Sequence, residues 1–180
     1  MQTTRQHGAA LVTSLIILLV LTVLGVSAMS TSSLEELMAG NLRDQTLSFQ
    51  AAESALRDGE RAIGGWPNGN APAATSSGTN RGVYTLDTYG SFETTAYNTS
   101  VWNNGTTYGT DTGVAISNLG DVRTLPVYII QEQEFVPKDA SYQAWVKRQG
   151  KYFYRVTTRG TGASDNAVTL LQATTARRFK

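Results

Sequence analysis

Behind a short polar leader, Met1 to Gly8, the chain runs uncharged and almost wholly apolar from Ala9 to Met29, AALVTSLIILLVLTVLGVSAM. As a helix this run is long enough to cross a hydrocarbon layer about 30 Å thick. Beyond Met29 the chain has no proline until Pro67, and its pattern changes from apolar to amphipathic. Leu34, Leu37, Met38, Leu42, Gln45, Phe49, Ala52, Leu56 and Ile63 recur at helical spacings, while Arg43, Asp44, Arg57, Asp58 and Arg61 lie largely off that stripe. The pattern predicts one helix with a membrane half, 9–29, and an amphipathic half, 30–63. Gly25 and Gly40 are its candidate bend points, and Gly64-Gly65-Trp66-Pro67 is its stop.

Residues 64–124 are more than half Gly, Ser, Thr and Asn, a composition that by itself suggests an unstructured linker. Trp66, Tyr84, Tyr89, Phe92, Tyr97, Trp102 and Tyr108 argue instead for a packed, loop-rich region with short strands such as Val83 to Leu86. Core packing is the favoured role of these aromatics over a glycan- or partner-binding surface. The remainder, 125–180, reads as strands. Leu125 to Val136 starts apolar and becomes alternately charged at Glu132 and Glu134, which the alternation places on one face. Tyr152, Tyr154 and Val156 alternate with Phe153, Arg155 and Thr157, and the Gly160 to Asn166 loop leads to a last strand, Ala167 to Arg178. Helix, loops and then antiparallel strands make an α+β arrangement.

Composition narrows the chemistry. The 180 residues leave room for one anchor and one small domain. There is no Cys, and the lone His7 precedes the apolar run. A Ser nucleophile therefore lacks a histidine base downstream, and no Ser stands at a recognisable spacing from Lys138, Lys147 or Lys151. Gly160 and Gly162 are not followed by a predicted helix, as a phosphate loop requires, and Asp111 in GTDTG lacks the further acids of a calcium loop. A non-enzymatic chain without cofactor or metal is expected. Net charge is +1 but unevenly spread. From Lys138 onward nine basic residues face only Asp139 and Asp165, whereas 9–137 carries five basic against twelve acidic residues. Opposite signs in two parts of one chain favour contact within or between subunits.

Three readings fit the N-terminus: a secretory signal cut after Val26-Ser27-Ala28, a plain single-pass anchor, or a filament-subunit leader cut after Gly8. The helix that continues past the apolar run supports the third. RQHGAALVTSLIILLVLTVLGVSAMS, LMAGNLRDQTLSFQAAESALRDGE and the closing YRVTTRGTGASDNAVTLLQATTARRF resemble the PilX-type minor pilins of the type IV pilus, over residues 5–63 and 152–179. The resemblance implies the type IV pilin fold, a long N-terminal helix packed on an antiparallel sheet. It also implies removal of leader 1–8 by the inner-membrane prepilin peptidase after Gly8, and methylation of the new amine at Ala9. Its implied partners are other minor pilins, the major pilin and, in several systems, a large tip adhesin. The soluble domain would lie in the periplasm of a Gram-negative cell before assembly.

Two positions depart from the common pilin pattern. Ala9 stands where Phe is usual, and Thr13 stands where most pilins carry Glu. A carboxylate there is thought to neutralise a neighbouring subunit's N-terminal ammonium, whereas a threonine hydroxyl brings no charge. A second candidate site is basic. Lys147, Arg148, Lys151, Arg155, Arg159, Arg177 and Arg178 could gather on neighbouring strands, either to dock the acidic part of another pilin or to contact DNA phosphates. The alternatives to a pilus-initiating subunit are a pseudopilin-like secretion subunit, a single-pass anchored periplasmic partner-binding protein and a DNA-binding pilin.

Overall fold

A computed structural model describes residues 7–69, 71–74, 83–85, 102–103, 105–107, 109, 119 and 121–179. Helix α1 covers His7–Gly65, strand β1 Val83–Thr85, β2 Thr106–Thr107, β3 Val127–Pro137, the short helix α2 Tyr142–Val146, β4 Gly150–Thr161 and β5 Val168–Phe179. The chain divides into two compact units between Leu42 and Arg43, inside the span predicted as one amphipathic half-helix.

The first unit is helical through Gly25 and Gly40 without interruption. Its large side chains from Leu11 to Leu42 are exposed. Leu34, Leu37, Met38 and Leu42, predicted to begin a packed stripe, are among them.

In the second unit the rest of α1 lies on a five-stranded sheet ordered β1-β3-β4-β5, with β2 also paired to β3. β3, β4 and β5 are mutually antiparallel. β1 runs parallel to β3, so the sheet is mixed where a purely antiparallel one was expected. β3 and β5 begin and end one or two residues from the predicted limits, and β1 stops at Thr85.

The face that α1 turns to the sheet coincides with the predicted stripe at Ala52, Leu56 and Ile63 and departs from it elsewhere. Ser48, Ala51, Ala52, Ala55, Asp58, Ala62 and Ile63 are buried, while Phe49 is half exposed and Gln45 exposed. The reason is distance. Gly160 of β4 sits so close that a Cβ there would lie 2.4 Å from the Ala52 nitrogen and 2.4 Å from the Ser48 carbonyl oxygen. Only small side chains fit such an approach, so the packing face is one of alanines and serine. Ser48 is also tied across to β5 by a 2.7 Å hydroxyl pair with Thr169. Asp58, expected off the packing face, is fully buried; it accepts a 2.7 Å hydrogen bond from the Gly109 amide and lies 3.6 Å from the Arg61 guanidinium.

Below the small-residue contact the core becomes aromatic. Ile63, Trp66, Val83, Tyr128, Ile130, Tyr152, Tyr154, Val156 and Phe179 form one buried cluster. Trp66 meets Tyr154 edge-on at 5.2 Å, and Tyr152 meets Phe179 edge-on at 5.6 Å. Burial, with the charge of Glu132 added, pushes the Tyr154 hydroxyl well above the usual tyrosine range. The opposite face of the sheet is capped in part by Tyr84 and Trp102 over Ile129. Trp66, Tyr84 and Trp102 thus pack as expected, whereas Tyr89, Phe92, Tyr97 and Tyr108 lie outside the described residues.

The loop between β4 and β5, predicted to start at Gly160 but beginning only after Thr161, is held to α1 by Asp44, whose carboxylate accepts from the Ser164 hydroxyl and, at 3.2 Å, from the Ser164 amide. These bonds, the hydroxyl one foremost, hold the Asp44 carboxyl below the usual carboxylate range.

Candidate functional site

Gly8 and Ala9, the predicted processing pair, fall in the first turn of α1. Thr13 is one turn further on. Its hydroxyl donates to the carbonyls of Ala9 and Ala10, each at 3.0 Å, so it is satisfied within its own helix. Ser14, Thr22 and Thr31 do the same, to Leu11, Leu19 and Ser27. Back-bonding of this kind lets hydroxyl residues sit in hydrocarbon without an outside partner. An 18-residue window here has a mean hydropathy of 2.8 and is unburied, as a membrane-spanning segment requires.

The seven basic residues do not form one patch. Partners in an antiparallel pair share a face, and Lys151, Arg155 and Arg159 stand opposite Arg178, Thr174 and Leu170 on the side of the sheet away from α1. Lys151 there lies 4.9 Å from the Phe153 ring. Arg177 points the other way. Its guanidinium donates to the carbonyls of Ile63 and Trp66, closing the C-terminal end of α1, and it stacks 5.2 Å from the Phe179 ring. Lys147 is exposed at the end of α2.

Arg148 is turned inward by a left-handed backbone, φ 51°. Its Nη2 donates to Glu132 Oε2 at 2.6 Å and its Nε to the Tyr152 hydroxyl at 2.8 Å. Burial raises the Tyr152 hydroxyl, and the neighbouring guanidinium offsets part of that rise.

Glu132 and Glu134, expected on one face, are on opposite faces. The register shifts between them, so that Glu132 pairs with the core residue Tyr154 and Glu134 with Phe153. The extra residue, Gln133, is a β-bulge, which period-two reading of a strand cannot register. Arg177 did carry a signal: it shares parity with Phe179, which is buried on the helix side. The Arg148–Glu132 pair had none, since it joins residues across a turn. Among the described residues no group of three or more His, Cys, Asp or Glu could hold a metal ion.

Family models match nearly the whole described chain: PilX N-terminal over residues 7–57, and type IV pilus assembly protein PilX C-terminal over residues 44–177. The chain belongs to the PilX family. No curated protein and no solved structure matched it. As a PilX-type minor pilin of type IV pilus assembly, it has the α+β pilin arrangement of a long N-terminal helix on a sheet. Its apolar helix is that of a single-pass anchor in a pilus protein, and the family is a structural one.

Proposed function

We propose that this PilX-family chain initiates type IV pilus assembly as a low-copy subunit at the leading end of the filament, in a priming complex with other minor pilins. The major pilin follows below it, and a large tip adhesin is its candidate neighbour above. Before assembly the apolar helix holds it in the inner membrane with the sheet domain in the periplasm. The prepilin peptidase removes residues 1–8, and the new amine of Ala9 is methylated. Intact mass of membrane-extracted protein is expected to begin at Ala9 with one added methyl group; a mass beginning at Met1 or Met29 would remove the proposal.

The observation that carries the leading-end position is Thr13. Its one O–H proton is spent on carbonyls of its own helix, its oxygen carries no charge, and no charge occurs between Gly8 and Leu34 to neutralise a neighbour's ammonium. At the leading end no subunit above presents that ammonium, so the missing carboxylate has no consequence. Thr13→Glu is expected to leave pilus content unchanged, because the added carboxyl is unpaired in an apolar layer and stays protonated. Immunogold should mark one end of purified pili. Labelling along the shaft, or a marked rise in pilus content with Thr13→Glu, would refute the assignment.

Lys151, Arg155, Arg159 and Arg178 form the remaining basic stripe, which suits the acidic stretch of a neighbouring pilin. The DNA-binding alternative would have to rest on this stripe, with Arg148 and Arg177 otherwise engaged.

A further inference from the structure

The connection between β3 and β4 folds over a pocket of about 490 Å3. Glu132, Arg148 and Tyr152 make its inner end, and Phe135, Tyr142 and Trp145 its apolar wall and rim. Tyr152 is fully buried and its ring stacks on Phe135 at 4.4 Å. The rim is the reverse: Tyr142 is 82 % exposed and Trp145 66 % exposed. Two large aromatic side chains so open to water, one turn of chain apart, are unexplained by the packing of this domain.

The pocket is built by fixed backbone. Ser141 caps α2 by accepting from the Ala144 amide at 3.2 Å, and the Ser141 amide is held by Asp139 at 2.9 Å. At the other end the Lys147, Arg148 and Gln149 amides bond back to Gln143, Trp145 and Ala144. Arg148 takes up a left-handed conformation that glycine adopts more readily, and in doing so brings its guanidinium to Glu132 and Tyr152.

We propose that this pocket binds a neutral pyranose sugar, its C–H face lying on the Trp145 ring and its hydroxyls meeting the Glu132–Arg148 pair. The volume falls in the range of small-ligand sites. An aromatic face carries the negative end of its quadrupole and attracts the polarised C–H groups of a sugar ring. The ion pair sets an acceptor-only carboxylate beside a donor-only guanidinium, both part-exposed, which matches vicinal hydroxyls that donate and accept in turn. Because the pair is already mutually neutralised, an anion meets Glu132 and a cation meets Arg148, so a net charge gains little there. The proposal does not depend on where in the pilus the subunit sits.

The chain reports on this pocket itself. Of its three tryptophans, Trp66 and Trp102 are buried and only Trp145 is open. Full-length mature protein in a detergent without a sugar headgroup is titrated with galactose, glucose, N-acetylglucosamine and lactose, following tryptophan emission. At least one sugar should give a saturable blue shift. Saturation-transfer NMR with that sugar should show Trp145→Ala and Glu132→Gln each binding about tenfold more weakly or less. Trp145 is exposed, so its variant keeps the fold, and unchanged sugar affinity in it would overturn the proposal. So would no saturable shift with any of the four sugars. If in assembled pili Trp145 is shielded from a soluble quencher by another subunit and no sugar relieves it, the surface docks protein and the sugar assignment fails.

Discussion

Gly160→Val is expected to unfold the sheet domain or bring it near unfolding. A side chain at this position has nowhere to go, since the three atoms nearest its Cβ are all backbone of α1: the Ala52 nitrogen and Ser48 carbonyl oxygen at 2.4 Å and the Ala52 Cα at 2.9 Å. Backbone of a regular helix cannot step aside locally, so the helix must lift from β4 along the whole small-residue face. Overpacking of a core commonly costs about 1–3 kcal/mol, and lifting an alanine-lined helix face should place this substitution at or above the upper end. That is a large share of the roughly 5–15 kcal/mol that separates a folded domain from its unfolded chain. Gly64→Ala is the control, because nothing lies within 4 Å of the added atom. Urea unfolding of the full chain, followed by far-ultraviolet circular dichroism, separates the two. A Gly160→Val protein within about 0.5 kcal/mol of wild type would mean that helix and strand are not in close contact.

Arg177→Ala is expected to destabilise the same domain by about 2 kcal/mol, in contrast to its neighbour Arg178→Ala. The Arg177 guanidinium donates to the carbonyls of Ile63, near the end of α1, and of Trp66, just past it; Pro67 has no N–H to give Ile63 its helical partner, and the Trp66 amide reaches that carbonyl only at 3.4 Å. Hydrogen bonds from a charged donor contribute about 1.5–3 kcal/mol, and removing this one takes the charged donor from the Trp66 carbonyl and leaves the Ile63 carbonyl only the 3.4 Å bond from the Trp66 amide. Arg178 is exposed on the opposite face, where substitutions commonly stay within about 0.5 kcal/mol. Arg177→Lys should recover only part of the loss, since an ammonium cannot fork to both oxygens in one plane. The same urea titration tests all three. Equal effects at 177 and 178 would mean that both arginines serve one solvated basic surface.

Both substitutions act at contacts that hydrophobic patterning does not register. Most of the small-residue face of α1 was not legible because periodicity weights large side chains, and of the predicted stripe Leu34 to Leu42 and Phe49 remain exposed or half exposed while only Ala52, Leu56 and Ile63 pack on the sheet. Alanine and serine at 48, 51, 52 and 55 carry a weak signal alone; they become a packing face only when Gly160 is brought against them. Asp58 was misplaced for the same reason. A carboxylate reads as solvated until an amide 51 residues away, Gly109, supplies its partner. Strand β4 was legible: strict alternation put Tyr152, Tyr154 and Val156 on one face, and all three are fully buried.

By itself the sequence determined the quantities that are local or cumulative along the chain. These are an uncharged run long enough for a membrane, its continuation into a helix ended by Gly-Gly-Trp-Pro, the alternating strands of the C-terminal third, and a chain without Cys or a downstream His. It also carried the residues by which the family is recognised. Tertiary structure alone decided on which side of the sheet each charge lies and which of them meet the core. It turned Arg148 to Glu132 and Arg177 to the helix end, left Lys151, Arg155, Arg159 and Arg178 on the far face, and parted Glu132 from Glu134 by one extra residue. Long-range pairings of this kind depend on register and close approach between segments far apart in the chain, and no periodicity within a segment encodes its partner.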